Sequence, residues 1–251
     1  MQKNSYTVIV MTKFLAITSA KGGVGKTTLA LNLATALTGF GREVILVDAN
    51  LSSPNISLHL GTPKLPITFH DALNKKKHIT ETAYLHPSGL KVIPASIALD
   101  QWDEKHIDKM KDVLFDLIGT AEMVLLDTAP GLGKETTVVM KMADETIVVT
   151  TPDLPSVTDA LKTIKTAENL GSNVLGIVVN RYSKHPAEMD LKSIEALLER
   201  PILGVIPEDQ MNKRALALKH PVVYTHPDSA MAVEVKKLAA KLVGQTYREK
   251  L

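Results

Sequence analysis

The sequence predicts an α/β protein built on a doubly wound, mostly parallel β-sheet with helices on both faces. Three observations carry that reading. Short runs rich in Val, Ile and Leu alternate with amphipathic stretches almost to the C-terminus, the rhythm of strand–helix–strand units joined by right-handed crossovers. Most of those runs are nearly continuous in apolar residues, as strands buried on both faces are. The residues just after the runs are polar and glycine-rich. That puts the chemistry at the carboxyl ends of the strands, where open α/β sheets bind ligands.

The elements follow in chain order. Residues 1–10, "MQKNSYTVIV", hold an apolar run of only three or four residues, too short for a signal peptide. They read as a short extension without a targeting role, and residues 11–251 as one domain. The first strand is Phe14–Thr18, and a glycine-rich turn leads from it into a helix at Thr27–Thr38. Strands at Glu43–Val47 and Lys91–Pro94 come next, the former followed by Asp48. The amphipathic stretch Lys105–Ile118 precedes a strand at Met123–Asp127, four apolar residues closed by an aspartate. A strand at Thr146–Thr150, a helix at Ser156–Leu170 and a strand at Leu175–Asn180 repeat the unit. A helix at Met189–Leu198 and a strand at Ile202–Ile206 complete it. Met231, Val235, Leu238 and Leu242 then recur at helical spacing with Lys236, Lys237 and Lys241 on other faces, the pattern of a final core-packing helix. No linker, charge block or internal repeat divides the chain.

Composition narrows the function classes. The 251 residues are 45% hydrophobic and 22% charged, ordinary for a globular protein. A net charge of +2 is too balanced to call for a specific nucleic-acid partner. The absence of cysteine excludes disulfides, thiolate zinc sites and iron–sulfur clusters ligated by this chain, and fits a reducing cytoplasm. The eight histidines show no zinc-binding spacing. Lys75–Lys77 with His78 reads as a solvated turn. Trp102, the one tryptophan, reads as a half-buried packing residue or as a partner anchor. After Gly244 only "QTYREKL" remains, with too little apolar area to hold a lipid surface strongly. The expected location is cytoplasmic, or peripheral at a membrane.

The stretch "SAKGGVGKTT", Ser19–Thr28, carries the sharpest signal. Gly25, Lys26 and Thr27 match the end of the phosphate-loop pattern G-x-x-x-x-G-K-[ST], while Ala20 stands where the first glycine belongs. Gly22, Gly23 and Gly25 let backbone N–H groups approach a polyphosphate, and the following helix adds its N-terminal dipole. Lys26 would reach the β- and γ-phosphates and the Thr27 hydroxyl would bind Mg²⁺. Asp48 and Asp127, each at the end of a buried strand, are candidate metal-site residues; either alone could merely cap a turn. "DTAPG", Asp127–Gly131, reads as a strand running into a loop that senses the γ-phosphate.

"KGGVGKTT", Lys21–Thr28, is similar to the deviant Walker A motif of the MinD/ParA family of P-loop ATPases. "LKVIPAS", "DTAPG", "VVTTPDLPSVTDA", "VVNRY", "LGVIPEDQ" and "NKRALALKHPVV" all resemble its MinD branch, and the likeness covers nearly the whole chain from Met11. It implies ATP or ADP with Mg²⁺ as cofactors, with Val24 and Thr28 joining the glycines, Lys26 and Thr27 around the phosphates. It implies that Lys21 crosses to a partner subunit in an ATP-bound homodimer and stabilises charge there. An arginine finger acting in this way supplies about 10³–10⁵ in rate. It also implies that Asn180, with Arg181 beside it, contacts adenine, and that the turn at Pro207 and Glu208 lines the other side. Asn180 alone could be a turn residue.

One departure bears on catalysis. The family commonly carries two aspartates spaced D-x-D here, the second associated with hydrolysis; this chain has Asp48-Ala49-Asn50. An amide cannot take a proton, but phosphoryl transfer depends more on positioning than on proton abstraction, and some GTPases orient water with a glutamine. The expectation is therefore a slow ATPase, with Lys21, Lys26, Asp48 and Asn50 as its catalytic residues. Its ATP-dependent dimer would be a switch that positions cellular machinery such as the division site, read by an unidentified protein partner. The alternatives are a ParA-like carrier that binds DNA non-specifically, and a scaffold that binds nucleotide without hydrolysing it.

Overall fold

The structure, a computed structural model, describes residues 11–98, 101 and 103–248; the extension 1–10 and Trp102 lie outside them. Eight strands run β1 (Lys13–Thr18), β2 (Val44–Ala49), β3 (Tyr84–Leu85), β4 (Lys91–Ile93), β5 (Met123–Thr128), β6 (Glu145–Thr150), β7 (Asn173–Tyr182) and β8 (Ile202–Pro207). Their spatial order is β3-β4-β2-β5-β1-β6-β7-β8. Every pairing is parallel except β3 with β4. All seven expected strands are present within about two residues of their expected ends; β3, a two-residue edge, is the addition. β1 lies between β5 and β6, so the chain leaves it toward β2 on one side and returns past it to β6 on the other. That reversal opens a crevice at the carboxyl end of β1.

The helices are α1 (Lys26–Gly39), α2 (Ile56–His59), α3 (Phe69–Leu73), α4 (Lys105–Phe115), α5 (Lys134–Met142), α6 (Leu154–Asn169), α7 (Leu191–Leu198), α8 (Gln210–Ala217), α9 (Val222–Thr225) and α10 (Ala230–Leu242). Alternate residues of β1 feed opposite faces. Leu15 and Ile17 join Leu29, Leu33 and Leu37 of α1 and Val235 and Leu238 of α10. Phe14 and Ala16 join Phe69 of α3, Met110 and Leu114 of α4 and Val139 of α5. A third cluster packs α6 and α7 on β6 and β7 through Val148, Ile177, Ile164 and Ile194. α1 is apolar almost all round because α10 covers the side turned away from the sheet. Its buried Asn32 is satisfied, donating to Thr28 O at 2.8 Å and accepting from Val223 N at 3.0 Å. Met231, Val235 and Leu238 of α10 are buried, the core-packing role their spacing implied.

Caps set the ends that periodicity left loose. The Asp153 carboxylate accepts from Ser156 N, so α6 starts two residues earlier than expected. Asp190 accepts from Ser193 N, so α7 begins after Met189. α4 stops at Phe115 in a series of turns that ends on Gly119 at φ +81°.

Candidate nucleotide site

The loop after β1 lies between the ends of β5 and β6. Gly23 and Gly25 take left-handed φ values of +80° and +90°, which L-residues avoid. A Cβ on Gly25 would stand 2.3 Å from Asn180 Nδ2, so this turn requires glycine on two grounds. Asn180, buried at the end of β7, donates from Nδ2 to Val24 O at 2.7 Å. It holds the loop from behind rather than lying open in the crevice. The ring of residues around the crevice includes Lys21, Gly22, Gly23, Gly25, Lys26, Thr27, Thr28, Asn50 and Arg181, enclosing about 240 Å³.

Beneath it lie two carboxylates and one lysine. Asp48 and Asp127 are register partners on β2 and β5, and both are fully buried. Lys26, 6% exposed, donates from Nζ to Asp127 Oδ1 at 2.9 Å and to Thr128 O. Burial pushes Asp48 up to about 8, with the Asp127 charge as the second cause; N–H donors from Ile56 and Asn55 and the Lys26 charge pull the other way. With both carboxylates ionised the set would carry one more negative charge than positive in a desolvated place, and among the described residues Asp127 Oδ2 is buried without a partner. An unpartnered carboxylate oxygen in such a surplus fits a bound divalent cation. Thr27, with its hydroxyl, is on the rim of the same crevice.

Asp48 has a second task. Its Oδ2 accepts from Asn55 N and Ile56 N, both at 3.0 Å, and its Oδ1 from Asn50 N at 3.3 Å. The strand-end carboxylate thus caps α2 from outside, since Asn55 makes no side-chain cap. Asn50 is also engaged: its Nδ2 donates to Ser53 O at 2.6 Å, and its Oδ1 accepts from Ser53 N at 3.2 Å and Ser52 Oγ at 3.4 Å. Sequence reasoning missed the residue that fixes this loop. Glu135, buried near the start of α5, accepts from Leu51 N, from Ser52 N at 3.2 Å and from Ser52 Oγ at 2.8 Å. No local pattern marks a contact across 84 residues. Asn55 and His59 of the α2 segment, also unforeseen, complete the rim.

Lys21 is drawn back onto its own chain. Its Nζ donates to Ser156 Oγ at 2.9 Å and to Asp153 Oδ1 at 3.4 Å, at the start of α6. Hydrogen bonds from Thr151, Ser156 and Lys21 hold Asp153 down at about 2 despite partial burial. Both partners of this pair are 45% exposed, so the contact is weak and exchangeable. Arg181, at φ +59°, lies 3.8 Å from Glu208 across the ends of β7 and β8; Pro207 ends β8 next to Tyr182. The basic run Lys75–Lys77 is exposed, with Lys76 and Lys77 paired to Asp71 and Glu81.

A ParA family model described as NUBPL iron-transfer P-loop NTPase matches residues 10–243. The chain belongs to the MinD/ParA family of P-loop ATPases. Among its relatives, an uncharacterized ATP-binding protein of Methanocaldococcus jannaschii is 39% identical over 97% of this chain and 92% of that protein. The septum site-determining protein MinD of Thermotoga maritima is 30% identical over 80% and 77%. Among solved structures, MinD of Pyrococcus horikoshii in complex with Mg-ADP superposes with a TM-score of 0.87 at 30% identity, covering 92% of this chain and 96% of that one. The eight-stranded, mostly parallel sheet with helices on both faces is the fold these MinD/ParA proteins share.

Proposed function

We propose that this MinD/ParA ATPase is an ATP-dependent dimerising switch of the MinD type. The observation that carries the reading is Lys21, a second lysine inside the phosphate loop. It is half exposed and held in cis by two exchangeable contacts at the start of α6. A lysine serving only its own nucleotide would not need to stand outside the cradle. Release from Asp153 and Ser156 frees its ammonium group for the phosphates of a facing subunit. Within one subunit the N–H groups of Gly22–Thr28 bind the phosphates of ATP or ADP, and Lys26 turns from Asp127 to them. Thr27, Asp127 and Asp48 are the residues to hold Mg²⁺, which would neutralise charge on the phosphates. Arg181, Pro207 and Glu208 bound the adenine side, Asn180 steadies the loop behind it through Val24, and residues 11–251 act as one unit.

Hydrolysis is slow in this reading because Asn50 is committed to its own loop. Its amide orients water only after Ser52 and Ser53 release it, a step suited to stimulation by a partner protein. The known complex of MinC with MinD from Aquifex aeolicus, whose MinD is 27% identical to this chain with a TM-score of 0.78, makes such a partner reasonable. The same engagement of Asn50 favours a second reading, a scaffold that dimerises on ATP without turnover. Iron transfer, named in the family model, is disfavoured by the absence of cysteine, and a DNA carrier by the balanced charge. No helix among the described residues is long and apolar enough to cross a membrane. Tyr247 in the tail packs on Phe40, which leaves little apolar surface there for lipid. Light scattering in ADP, ATP and a slowly hydrolysed analogue tests the switch. A dimer is expected with ATP and the analogue only, and a monomer in all three would refute it.

A further inference from the structure

A second cavity, of about 270 Å³, lies on the other side of α2 from the nucleotide crevice, at the β3 edge of the sheet. The two spaces share the α2 segment: Asn55 and His59 line the crevice, and Ser57 and Leu60 line the cavity. Its walls are largely apolar, with Leu60, Leu65, Val92, Pro94 and Leu85 among them. Leu85 is 73% exposed, so the apolar lining continues to the surface. Among the described residues, no Asp, Glu, Lys or Arg lines it.

The polar groups are few and specific. Ser57 is buried, and its hydroxyl has no partner among the described residues, a deficit that native interiors rarely tolerate. His86 and His220 form part of the wall and bond to each other, Nε2 to Nδ1, at 2.9 Å. Because His86 Nδ1 accepts from Ser88 N, its ring proton is assigned to Nε2, which donates to His220 Nδ1. Tyr224 packs edge-on against both rings. A wall without ionised groups rejects phosphates, carboxylates and amines. A cavity of about 150 Å³ accepts benzene, and drug-sized ligands need about 300 Å³ or more. The space therefore suits an uncharged molecule between those sizes, a bicyclic ring among them, with one hydrogen-bonding group.

We infer that this cavity binds a small uncharged aromatic molecule of the indole type. Occupancy bears on nucleotide affinity through α2, whose N-terminus is capped by Asp48. The binding arm stands alone; the coupling arm rests on the nucleotide reading above.

Titrating indole into the full-length protein without nucleotide, followed by amide NMR, tests the site. Saturable shifts are expected at Ser57, Val92, His86 and His220. Thr62→Trp, which fills the cavity from an exposed loop, and Ser57→Ala, which removes the hydroxyl, should each weaken binding. Indole-3-acetate, the same ring with a carboxylate, should bind at least about tenfold more weakly. Absence of saturable shifts at these residues, or affinity unchanged in both variants, would overturn the proposal. Saturating indole should also change the ADP dissociation constant by the factor by which ADP changes that of indole. Indole binding with unaltered ADP affinity would overturn the coupling alone. Failure of ADP to bind at all would instead count against the nucleotide reading and leave the indole result standing.

Discussion

The loops after β1 and β2 border the same crevice and are built on opposite principles. The first is shaped by backbone: two glycines at positive φ, with one asparagine behind them. The second, residues 50–55, is shaped by side chains that reach it from outside. Asp48 holds its end at α2, and Glu135 holds Leu51 and Ser52 from α5. A backbone cradle binds phosphate wherever the motif folds. A loop held by distant carboxylates can be released or locked by events elsewhere, so the proposed function has phosphate binding and turnover separable in this chain.

The largest effect should come from Lys26→Ala. It removes the proposed phosphate contact and leaves Asp127 buried without the Lys26 charge, a loss of about 3–5 kcal/mol when one partner of a buried pair is removed. Urea unfolding and ADP titration should show both deficits; normal stability would mean that Asp127 is not held as described. Glu135→Ala should be milder. It strips the acceptor from Leu51 N and Ser52 N, costing about 1–3 kcal/mol, and hydrogen exchange should speed up at those two amides while ADP affinity stays near native. A large loss of ADP affinity would show that the two loops are not separable.

The smallest effect is on pH. Burial, with His106 and His220 as second causes, holds His70 and His86 down at about 4, against about 6.5 in an unfolded chain. Between those values the unfolded chain takes up protons that the folded chain refuses. Their stabilisation is thus present above pH 6.5 and lost as the pH falls toward 4. Asp48, raised rather than lowered, acts in the opposite sense and makes the acid limb shallower. Thermal unfolding of the nucleotide-free protein from pH 7 to 4 should show a falling midpoint, and a flat profile would contradict the burial of these rings.

The same contrast explains what the sequence made legible. Strands such as Met123–Thr128 and the glycine-rich turn are local signals, and both were found where expected. The α5 segment was missed because Thr136, Thr137, Val138 and Val139 are β-branched and disfavour helix; burial of Thr136, Val139, Met140 and Met142 overrides that preference. The short α2 was illegible for another reason: its cap is Asp48, seven residues before Asn55. Lys21 was legible as a second lysine inside the phosphate loop. Its resting place on Ser156 and Asp153 was not, because that contact spans 132 and 135 residues. Asn50 was visible as a departure, and only its three bonds to Ser52 and Ser53 show what restrains it.

ATP affinity and single-turnover rate, measured side by side for the native protein and Asn50→Ala, test the division of labour between the two loops most directly. The account predicts matching affinities and a turnover at least about tenfold slower in the variant, the order expected when a group that positions the nucleophile is lost. Equal rates, or a loss of affinity as large as the loss of rate, would contradict it.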